Sequence, residues 1–440
     1  MEKEKNIKAI QPNGDGTRNH KWAAVVPLVG GMAIGNHMAT GTKPEFMLSF
    51  PAFMSNDQHI RNYWPDVPYS LIDPESGKLF DDDIQEEYGC YKCHKEKLQE
   101  KFDGIDFVSS VPPCAGLSML NTSQKKDSAT ARGSDAAQNE WMYKSSRFIL
   151  ENIQPRVLFG ENAPGLFTST GEGVVEKLKV IAKETGYSFS MYKTNTIHHG
   201  IPQKRERTFY FFWKDSKPPI MEHYRREYKV LEEYLREIPE NTSMSDQYPG
   251  IKTLKGNPWV EFIKYREGKK WRESLADYKT AIQYVDSHNA FDEALEWANN
   301  VYKPEVEKRK DKFIRIVEHV KYKKSIGKGW WDSSPHFFNE HVNAVIGKNI
   351  TVTVHPEEER GLNLREVAHL MGLPHDFEIS DVKYNNHLAQ NVPTCTARDM
   401  TIEVMKYLDD KLPISTEEFF KQNNAKKGVK VDETKAVKLF

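Results

Sequence analysis

Short apolar runs alternate with polar or helical stretches in the first half of the chain. Residues 21–35 read KWAAVVPLVGGMAIG, a pattern that predicts a buried strand, a glycine turn and the start of a helix. Apolar runs that predict further strands occupy residues 46–53, 105–111, 155–161, 187–196 and 208–213. Residues 173–185 have a helical period, and residues 57–64 read as helix surface. Strands that alternate with helices predict an α/β fold with a mostly parallel sheet.

The pattern changes after residue 213. Residues 214–347 contain long, charged stretches of helical character with interspersed aromatic residues. Within them, residues 303–328 hold ten Lys/Arg against four Asp/Glu, a local excess of six positive charges. Such a segment is either a phosphate-contacting stripe or a solvated helix face. Further on, LNLREVAHLM at 362–371 predicts an amphipathic helix with Asn363 as its cap.

Composition narrows the class of protein. The chain has 440 residues and a formal net charge of −1, so any surface that binds nucleic acid must be local. Four cysteines argue against a disulfide scaffold. The polar N-terminal segment lacks the apolar core of a signal peptide, and no apolar run approaches the roughly 20 residues of a membrane span. We therefore expect a soluble cytoplasmic protein with no membrane partner, and an enzyme by size.

One cysteine occupies a position where chemistry is expected. Cys114 follows two prolines at the end of the strand predicted at 105–111. Prolines stiffen the backbone that orients the thiol, and ligands of open α/β sheets lie at the carboxyl ends of strands. Taken alone, the residue is better interpreted as a buried, inert cysteine. Cys90 and Cys93 have the spacing of half a zinc site, but the chain has no second such pair, and no metal site is predicted.

Polar side chains follow two further strands. Glu161 falls at the carboxyl end of its predicted strand, again where a ligand would bind. Gln203, Arg205 and Arg207 alternate along another predicted strand and would therefore point to one face. Together they could hold an anion or the edge of a base, with a solvated charged strand face as the alternative.

A long polar loop follows the cysteine. About 24 residues of small, polar and basic character separate Cys114 from the next helix, and a loop of this length is usually functional or disordered. Lys125 and Arg132 would suit phosphate groups. The loop is interpreted either as a lid that closes over a substrate beside Cys114, or as a loop that is only mobile.

Taken together and in this order, five blocks resemble the C5-cytosine DNA methyltransferase family. They are DFVSSVPPCAGLS at 106–118, Glu161-Asn162-Ala163, IPQKRER at 201–207, the block from His355-Pro356 to Gly372-Leu373-Pro374, and Asn391-Val392-Pro393. The last block matches the family pattern more loosely than the others. The resemblance covers most of residues 22–408, with an insert at 214–347 where the family keeps its target-recognition region.

The resemblance implies a Rossmann-like, mostly parallel sheet of the class I methyltransferase type and a second, smaller target-recognition domain. The expected catalytic domain comprises residues 1–213 and 379–440, and the expected target-recognition domain comprises residues 214–378. The implied partner is double-stranded DNA, on which the enzyme would act as a monomer in a bacterial or phage-infected cell. RNA is an open alternative as the substrate.

The resemblance also implies roles for individual side chains. Cys114 would add as a thiolate to C6 of a flipped-out cytosine, so that C5 can be alkylated. Glu161 would bind N3 and the exocyclic amine, while Arg205 and Arg207 would hold the base and orient Glu161. The residues expected to bind the substrate are Pro113, Ser118, Lys125, Arg132, Asn162 and Gln203.

The implied cofactor is S-adenosylmethionine. The residues expected to bind it are Pro27, Val29, Gly30, Gly31, Asn391 and Val392. The family's first block is altered at Ala24, Val26 and Leu28, and Pro51 or Ala52 stands where the family places an acid for the ribose hydroxyls. These differences favour, as an alternative, 5,10-methylene-tetrahydrofolate as the donor and 5-hydroxymethylcytosine as the product. An inactive paralogue that only binds DNA is the third hypothesis.

Overall fold

The chain forms two compact units in a computed structural model. The described residues are 20–90, 94–113, 115–118, 133–239, 254–275, 277–330, 334–338, 340–346, 353–379 and 385–413. The first unit contains the described residues up to 200, residues 206–227 and those from 391 onward. The second unit contains residues 201–205 and the described part of 228–390.

The first unit is built on a seven-stranded sheet. The strands of the described residues are β1 (Trp22–Val25), β2 (Met47–Ser49), β3 (Tyr69–Leu71), β4 (Phe107–Ser110), β5 (Val157–Asn162), β6 (Ser188–Asn195), β7 (Gln203–Lys204), β8 (Glu206–Trp213) and β9 (Val342–Asn343). The sheet has the order β3-β2-β1-β4-β5-β8-β6, while β7 and β9 form a separate parallel pair in the second unit. Strand β8 runs antiparallel to both of its neighbours, and the other pairs of the sheet are parallel. This arrangement confirms the predicted α/β fold with a mostly parallel sheet.

Helices connect these strands and build most of the second unit. The α-helices of the described residues are α1 (Gly31–Thr40), α2 (Met54–Tyr63), α3 (Asp82–Glu87), α4 (Lys95–Gln99), α5 (Glu140–Phe148), α6 (Glu172–Thr185), α7 (Leu231–Leu235), α8 (Pro258–Glu267), α9 (Ala281–Ser287), α10 (Phe291–Asn300), α11 (Glu307–Ser325), α12 (Leu364–Leu370), α13 (Asn385–Gln390) and α14 (Thr394–Leu408). Helices α1–α6 and α14 belong to the first unit, and α7–α13 to the second. Within the described ranges, no helix combines the length and the apolar character that a membrane span requires.

The central strands read as continuous apolar runs because helices cover both faces of such a sheet. Every residue of β4 and β5 is buried. The rings of Phe107, Phe159 and Phe211 lie in a row across β4, β5 and β8, with centroids 6.0 and 5.7 Å apart. This packing holds the strands in register, so that the carboxyl ends of the parallel strands β4 and β5 lie on one edge of the sheet, beside the amino end of the antiparallel β8.

A hydrophobic core unites helices α8–α11 in the second unit. Trp259, Trp297 and Phe313 are buried in it, and the edge of the Trp259 ring meets Phe313 with centroids 4.7 Å apart. Helix α12 begins with a capping box: Asn363 Oδ1 accepts from the Glu366 amide at 2.8 Å, and the Glu366 carboxylate accepts from the Asn363 amide at 2.7 Å. The predicted cap at Asn363 is confirmed.

Candidate active site

The candidate residues of the first unit lie where the parallel strands β4 and β5 end. The chain leaves β4 through Pro112 and Pro113, while β5 ends with Glu161 and Asn162. The Asn162 side-chain amide donates to the Pro112 carbonyl oxygen at 3.5 Å. The proline loop and the end of β5 are therefore neighbours on one edge of the sheet. Cys114, the residue after this loop, lies outside the described residues.

Gly160 allows a close approach of strands directly before Glu161. A Cβ atom at Gly160 would lie 2.3 Å from the Tyr210 hydroxyl oxygen and 2.7 Å from the Ser110 carbonyl oxygen. Tyr210 is fully buried, and burial raises the pKa of its hydroxyl, which therefore stays neutral. Any side chain at Gly160 would push β5 away from β4 or β8 and would displace Glu161.

Arg207 on β8 reaches Glu161 across the antiparallel strand pair. Glu161 is paired with Phe209, so Arg207, two residues away, projects from the same face of the sheet. Its Nε lies 2.5 Å from Glu161 Oε1, and the two side chains are only 13% and 3% exposed. The guanidinium offsets the cost of burying the carboxylate and fixes its orientation. The structure thus brings together two of the four predicted catalytic residues.

Gln203 and Arg205 lie elsewhere, in the second unit. The expectation that they share a strand face with Arg207 is wrong, because Arg205 belongs to no strand and separates β7 from β8. Gln203 donates to the last carbonyl group of α12 at 2.7 Å and accepts from the Val345 amide at 3.1 Å. Arg205, fully buried, donates to the carbonyl oxygens of Val345 and Ala389 at 2.9 and 2.7 Å. Both side chains hold backbone segments together, and their contact with a base stays a prediction.

Only residues 133–140 of the predicted lid, which spans residues 119–140, are described, and they begin with a contact to the segment after Cys114. The Gly133 amide donates to the Gly116 carbonyl oxygen at 2.8 Å, and the Asn139 side chain donates to the Gly133 carbonyl oxygen at 2.9 Å. Ser118 ends the described part of the chain before this segment. The predicted phosphate-binding residues that lie outside the described residues are Lys125 and Arg132. Closure over a substrate therefore stays a prediction.

The turn between β1 and α1 brings the predicted cofactor residues together. The Gly31 amide donates to Asn391 Oδ1 at 2.8 Å, and a Cβ atom at Gly31 would lie 2.1 Å from the Val392 carbonyl oxygen. The loop that contains Asn391 therefore packs on this turn at a distance that only glycine permits. The other predicted cofactor residues of the turn are Pro27, Val29 and Gly30.

A family model described as C-5 cytosine-specific DNA methylase matches residues 70–392. This range is well over half of the 440 residues. The chain belongs to this family. The matched range contains the proline loop after β4, the Glu161–Arg207 pair and most of the second unit, so the resemblance inferred from the sequence motifs is confirmed.

Relatives with curated descriptions match over shorter lengths. The type II methyltransferase M.Bpa9945I of Bacillus paralicheniformis is 22% identical over 311 residues, which cover 62% of this chain and 64% of that protein. The type II methyltransferase M1.BsuMI of Bacillus subtilis is 31% identical over 127 residues, which cover 29% of this chain and 26% of that protein. The chain therefore spans less than two thirds of the length of either relative.

A solved structure shows the same fold. It is described as a DNA modification methyltransferase encoded within an E. coli prophage, and it matches with a TM-score of 0.52 at 15% identity. The match covers 89% of this chain and 99% of the prophage protein. At this low identity the likeness concerns the fold alone.

Family membership implies S-adenosylmethionine as the methyl donor. The family binds the ribose hydroxyls of this donor with an acidic residue, and the described turn has no such residue. Pro51 and Ala52, which stand where the family places the acid, follow β2 and carry no polar side-chain group, and Ala24 and Leu28 occupy altered positions of the first block. Every residue from 22 to 36 is buried. The side chains in this turn therefore do not fit the ribose hydroxyls in the way that the family's residues do.

One acid does lie beside this turn, and the sequence interpretation missed it. Asp57 on α2 falls in the segment expected to be helix surface, but that expectation is wrong because the side chain is fully buried. The Tyr69 hydroxyl donates to Asp57 Oδ2 at 2.8 Å. Burial raises the pKa of Asp57 to about 7, although the Ser49 and Tyr69 hydroxyl groups and the Leu28 amide partly oppose this shift. The acid is covered, so it does not present an exposed ribose acceptor.

A sequence signal for this buried acid exists. The spacing of one helix face relates four residues, all of which are buried: Phe53, Asp57, Ile60 and Trp64. A carboxyl group at an apolar position of such a pattern indicates burial against the core. The pattern is visible only when the helix is taken to begin before residue 57.

A buried carboxylate on α14 binds side chains from the segments that follow β6 and β8. Asp399 on α14 accepts from Nε and Nη2 of Arg226 at 2.8 and 3.0 Å. His199 Nδ1 lies 2.9 Å from the same carboxylate, and its Nε2 lies 2.8 Å from the Thr194 hydroxyl. Burial is the largest influence and raises the pKa of Asp399, but hydrogen bonds from His199 and Arg226 outweigh it and hold this pKa below its ordinary value. The carboxylate therefore ties both partners to α14.

Proposed function

We propose that this protein transfers a one-carbon group to C5 of cytosine in DNA. The observation that carries the proposal is the ion pair of Glu161 and Arg207, which lies on the sheet edge where the loop before Cys114 begins. Membership of the C-5 cytosine-specific DNA methylase family supports cytosine as the target base and DNA as the substrate.

Cytosine needs activation because C5 is a poor nucleophile in the intact ring. In the proposed reaction, the Cys114 thiolate adds to C6, which breaks the aromaticity of the ring and gives C5 the reactivity of an enamine. Glu161 binds N3 and the exocyclic amine and stabilises the charge that develops there. Arg207 keeps Glu161 oriented and, with Arg205, holds the base. C5 then forms a bond to the one-carbon group of the donor, whose remainder leaves. Loss of the C5 proton and elimination of the thiol restore the ring.

The proposed reaction requires an extrahelical base, because a thiolate cannot reach C6 inside a stacked duplex. Double-stranded DNA bound by one copy of the chain is the proposed substrate complex. Residues 1–213 and 379–440 would supply the catalytic domain, and residues 214–378 the target-recognition domain. The position of the insert between the family's motifs supports this division.

The donor has two candidates. S-adenosylmethionine is the donor that family membership implies. The second candidate is 5,10-methylene-tetrahydrofolate, which would give 5-hydroxymethylcytosine if tetrahydrofolate leaves and water adds to the exocyclic methylene group. It is favoured by the lack of an acid at Pro51 and Ala52 after β2 and by the covered carboxyl group of Asp57, which leave no exposed ribose acceptor in the described turn. The roles proposed for the residues that handle the base are the same with either donor.

Nucleoside mass spectrometry tests the proposal. Cytosine-containing DNA is incubated with the full chain and either donor, and the digested nucleosides are compared. We expect 5-methylcytosine with S-adenosylmethionine for the first candidate, and 5-hydroxymethylcytosine only with the folate for the second. An unmodified DNA in both reactions would contradict the proposed function and would favour the paralogue that only binds DNA.

Two substitutions test the residue roles. Cys114→Ala should abolish product formation, and Glu161→Gln should lower kcat by about 100- to 10,000-fold because a catalytic carboxylate is lost. Glu206→Gln is the matched control, since Glu206 is 51% exposed and pairs with Lys193 at 3.2 Å on the sheet surface. Wild-type activity in Glu161→Gln would be inconsistent with the role assigned to this carboxylate.

A further inference from the structure

Helix α11 exposes a row of basic and aromatic side chains. Its apolar residues Phe313, Val317 and Val320 are buried in the core of the second unit. With about 3.6 residues per turn, a second set of residues falls on the opposite side of the helix. This set, called the outer stripe, consists of Lys308, Lys312, Arg315, His319, Tyr322 and Lys323, of which all but the half-buried Lys323 are exposed.

Ion pairs divide the cations of this helix into two groups. Lys321 pairs with Asp292, and Lys324 pairs with Asp286, so both ammonium groups are neutralised within the second unit. In the described part of the chain, by contrast, no carboxylate forms an ion pair with any cation of the outer stripe. These unneutralised cations are Lys308, Lys312, Arg315 and Lys323. Lys310 pairs with Glu307, so five cations of α11 have no carboxylate partner among the described residues. Four of these five belong to the outer stripe, and the fifth is Arg309, which lies beside Gly256.

Two carboxylates border the outer stripe. Asp311 and Glu318 are exposed on the same outward side of α11, four residues before and three residues after Arg315. Arg315 forms no ion pair with either acid in the described structure and contacts only the carbonyl oxygen of Asp311 within this helix, at 3.3 Å. Four cations against two acids leave the outer face positive.

We propose that the outer stripe binds the phosphate backbone of duplex DNA. Its cations extend over 16 residues from Lys308 to Lys323, a rise of about 22 Å along the helix. A DNA duplex presents a negative charge about every 1.7 Å of its axis, so several phosphates lie within that length. Tyr322, which is 60% exposed, adds a ring that can pack on a sugar. This inference rests on DNA as the substrate of the proposed function, and it assigns the contact to one helix.

Salt dependence of DNA binding tests the inference. The double variant K312Q/R315Q removes two cations of the outer stripe, and K321Q/K324Q removes two paired cations of the same helix as the matched control. Binding of the full chain to a fluorescent duplex of about 24 base pairs is measured by anisotropy from about 50 to 400 mM NaCl. Circular dichroism verifies that both variants are folded.

We expect K312Q/R315Q, but not K321Q/K324Q, to change the slope of log K against log salt. Each lost phosphate contact reduces the slope of log K against log salt by about 0.9, so K312Q/R315Q should lose about 1.8. If the binding curves meet at 1 M salt, the affinity at 0.1 M falls by about 60-fold according to the same relation. K321Q/K324Q should keep a slope within about 0.5 of the wild-type value.

The other outcomes overturn the inference in distinguishable ways. A wild-type slope for K312Q/R315Q, in a protein whose wild type modifies cytosine in DNA, would overturn the inference and leave the proposed function intact. An equal loss in K321Q/K324Q would show a general charge effect and would also overturn it. Binding of RNA alone, without cytosine modification in DNA, would overturn the inference and the proposed function together.

Discussion

Asp57→Asn tests the finding that a buried acid lies beside the β1–α1 turn. The side chain is fully buried, and burial raises its pKa from the ordinary value of 3.8 to about 7. Asparagine keeps the shape of the protonated acid and can still accept the hydrogen bond that Tyr69 donates at 2.8 Å. We therefore expect the substitution to change the pH dependence of stability more than the stability at low pH.

The expected change in the free energy of unfolding follows from the pKa of Asp57 in the unfolded and in the folded protein. The folded protein keeps this proton up to about pH 7, whereas the unfolded chain releases it near pH 3.8. Between these values, each pH unit lowers the free energy of unfolding of the wild type by about 1.4 kcal/mol. From pH 5 to pH 7 the loss is about 2 kcal/mol, and stability levels off by about pH 8. Asparagine has no such proton, so the variant should gain about 2 to 3 kcal/mol relative to the wild type between pH 5 and pH 8.

Urea unfolding of both proteins at pH 5 and pH 8 measures this difference. Asp73→Asn is the matched control, because the Ser76 hydroxyl and backbone amide groups lower the pKa of the exposed Asp73, whose contribution is constant above pH 5. A difference between Asp57→Asn and the wild type that does not change from pH 5 to pH 8 would refute the reasoning. It would mean that the Asp57 carboxylate is ionised in the folded protein throughout this range.

Three further substitutions test the site and its supports. Arg207→Gln removes the guanidinium 2.5 Å from the Glu161 carboxylate, and should lower kcat at least about 100-fold and cost about 3 kcal/mol in urea unfolding; wild-type turnover would contradict the role proposed for the pair. Asp399→Asn leaves its arginine and histidine partners without a carboxylate, and should cost about 3 kcal/mol at pH 7, whereas an unchanged unfolding curve would disprove the stabilising role of the Asp399 carboxylate. Gly31→Ala places a Cβ atom 2.1 Å from a carbonyl oxygen and should cost about 2 kcal/mol, while Gly329→Ala, which meets no atom within 4 Å, should leave the thermal midpoint unchanged.

The regular elements of the first unit were predictable because their patterns are local. The apolar run at 187–196 became β6 (Ser188–Asn195), and the helical segment at 173–185 became α6 (Glu172–Thr185). The position of Glu161 at the end of a strand was predictable for the same reason. The antiparallel insertion of β8 between β5 and β6 was not, because it depends on pairing between strands that are far apart in the chain.

Two errors have different physical origins. Asp57 was interpreted as helix surface because a carboxylate normally faces solvent. It is buried because it lies on the same face of α2 as the buried residues Ile60 and Trp64. Arg205 was placed on a strand face with Arg207, yet it leaves the strand and donates to backbone carbonyl groups of the second unit. The partners of Arg205 lie far away in the chain, whereas the neighbours that bury Asp57 lie within one helix and become visible only when that helix is taken to begin before residue 57.

By itself, the sequence determined the order of strands and helices, the family motifs and the presence of a basic segment at 303–328. Only the tertiary structure decided that Glu161 pairs with Arg207, that Asp57 is covered, and which lysines of α11 are neutralised. Apolar periodicity is a property of a few adjacent residues, whereas an ion pair or a buried charge depends on atoms that meet only after folding. Glu161 and Arg207 are 46 positions apart in the chain, and pairing across two strands places them in contact.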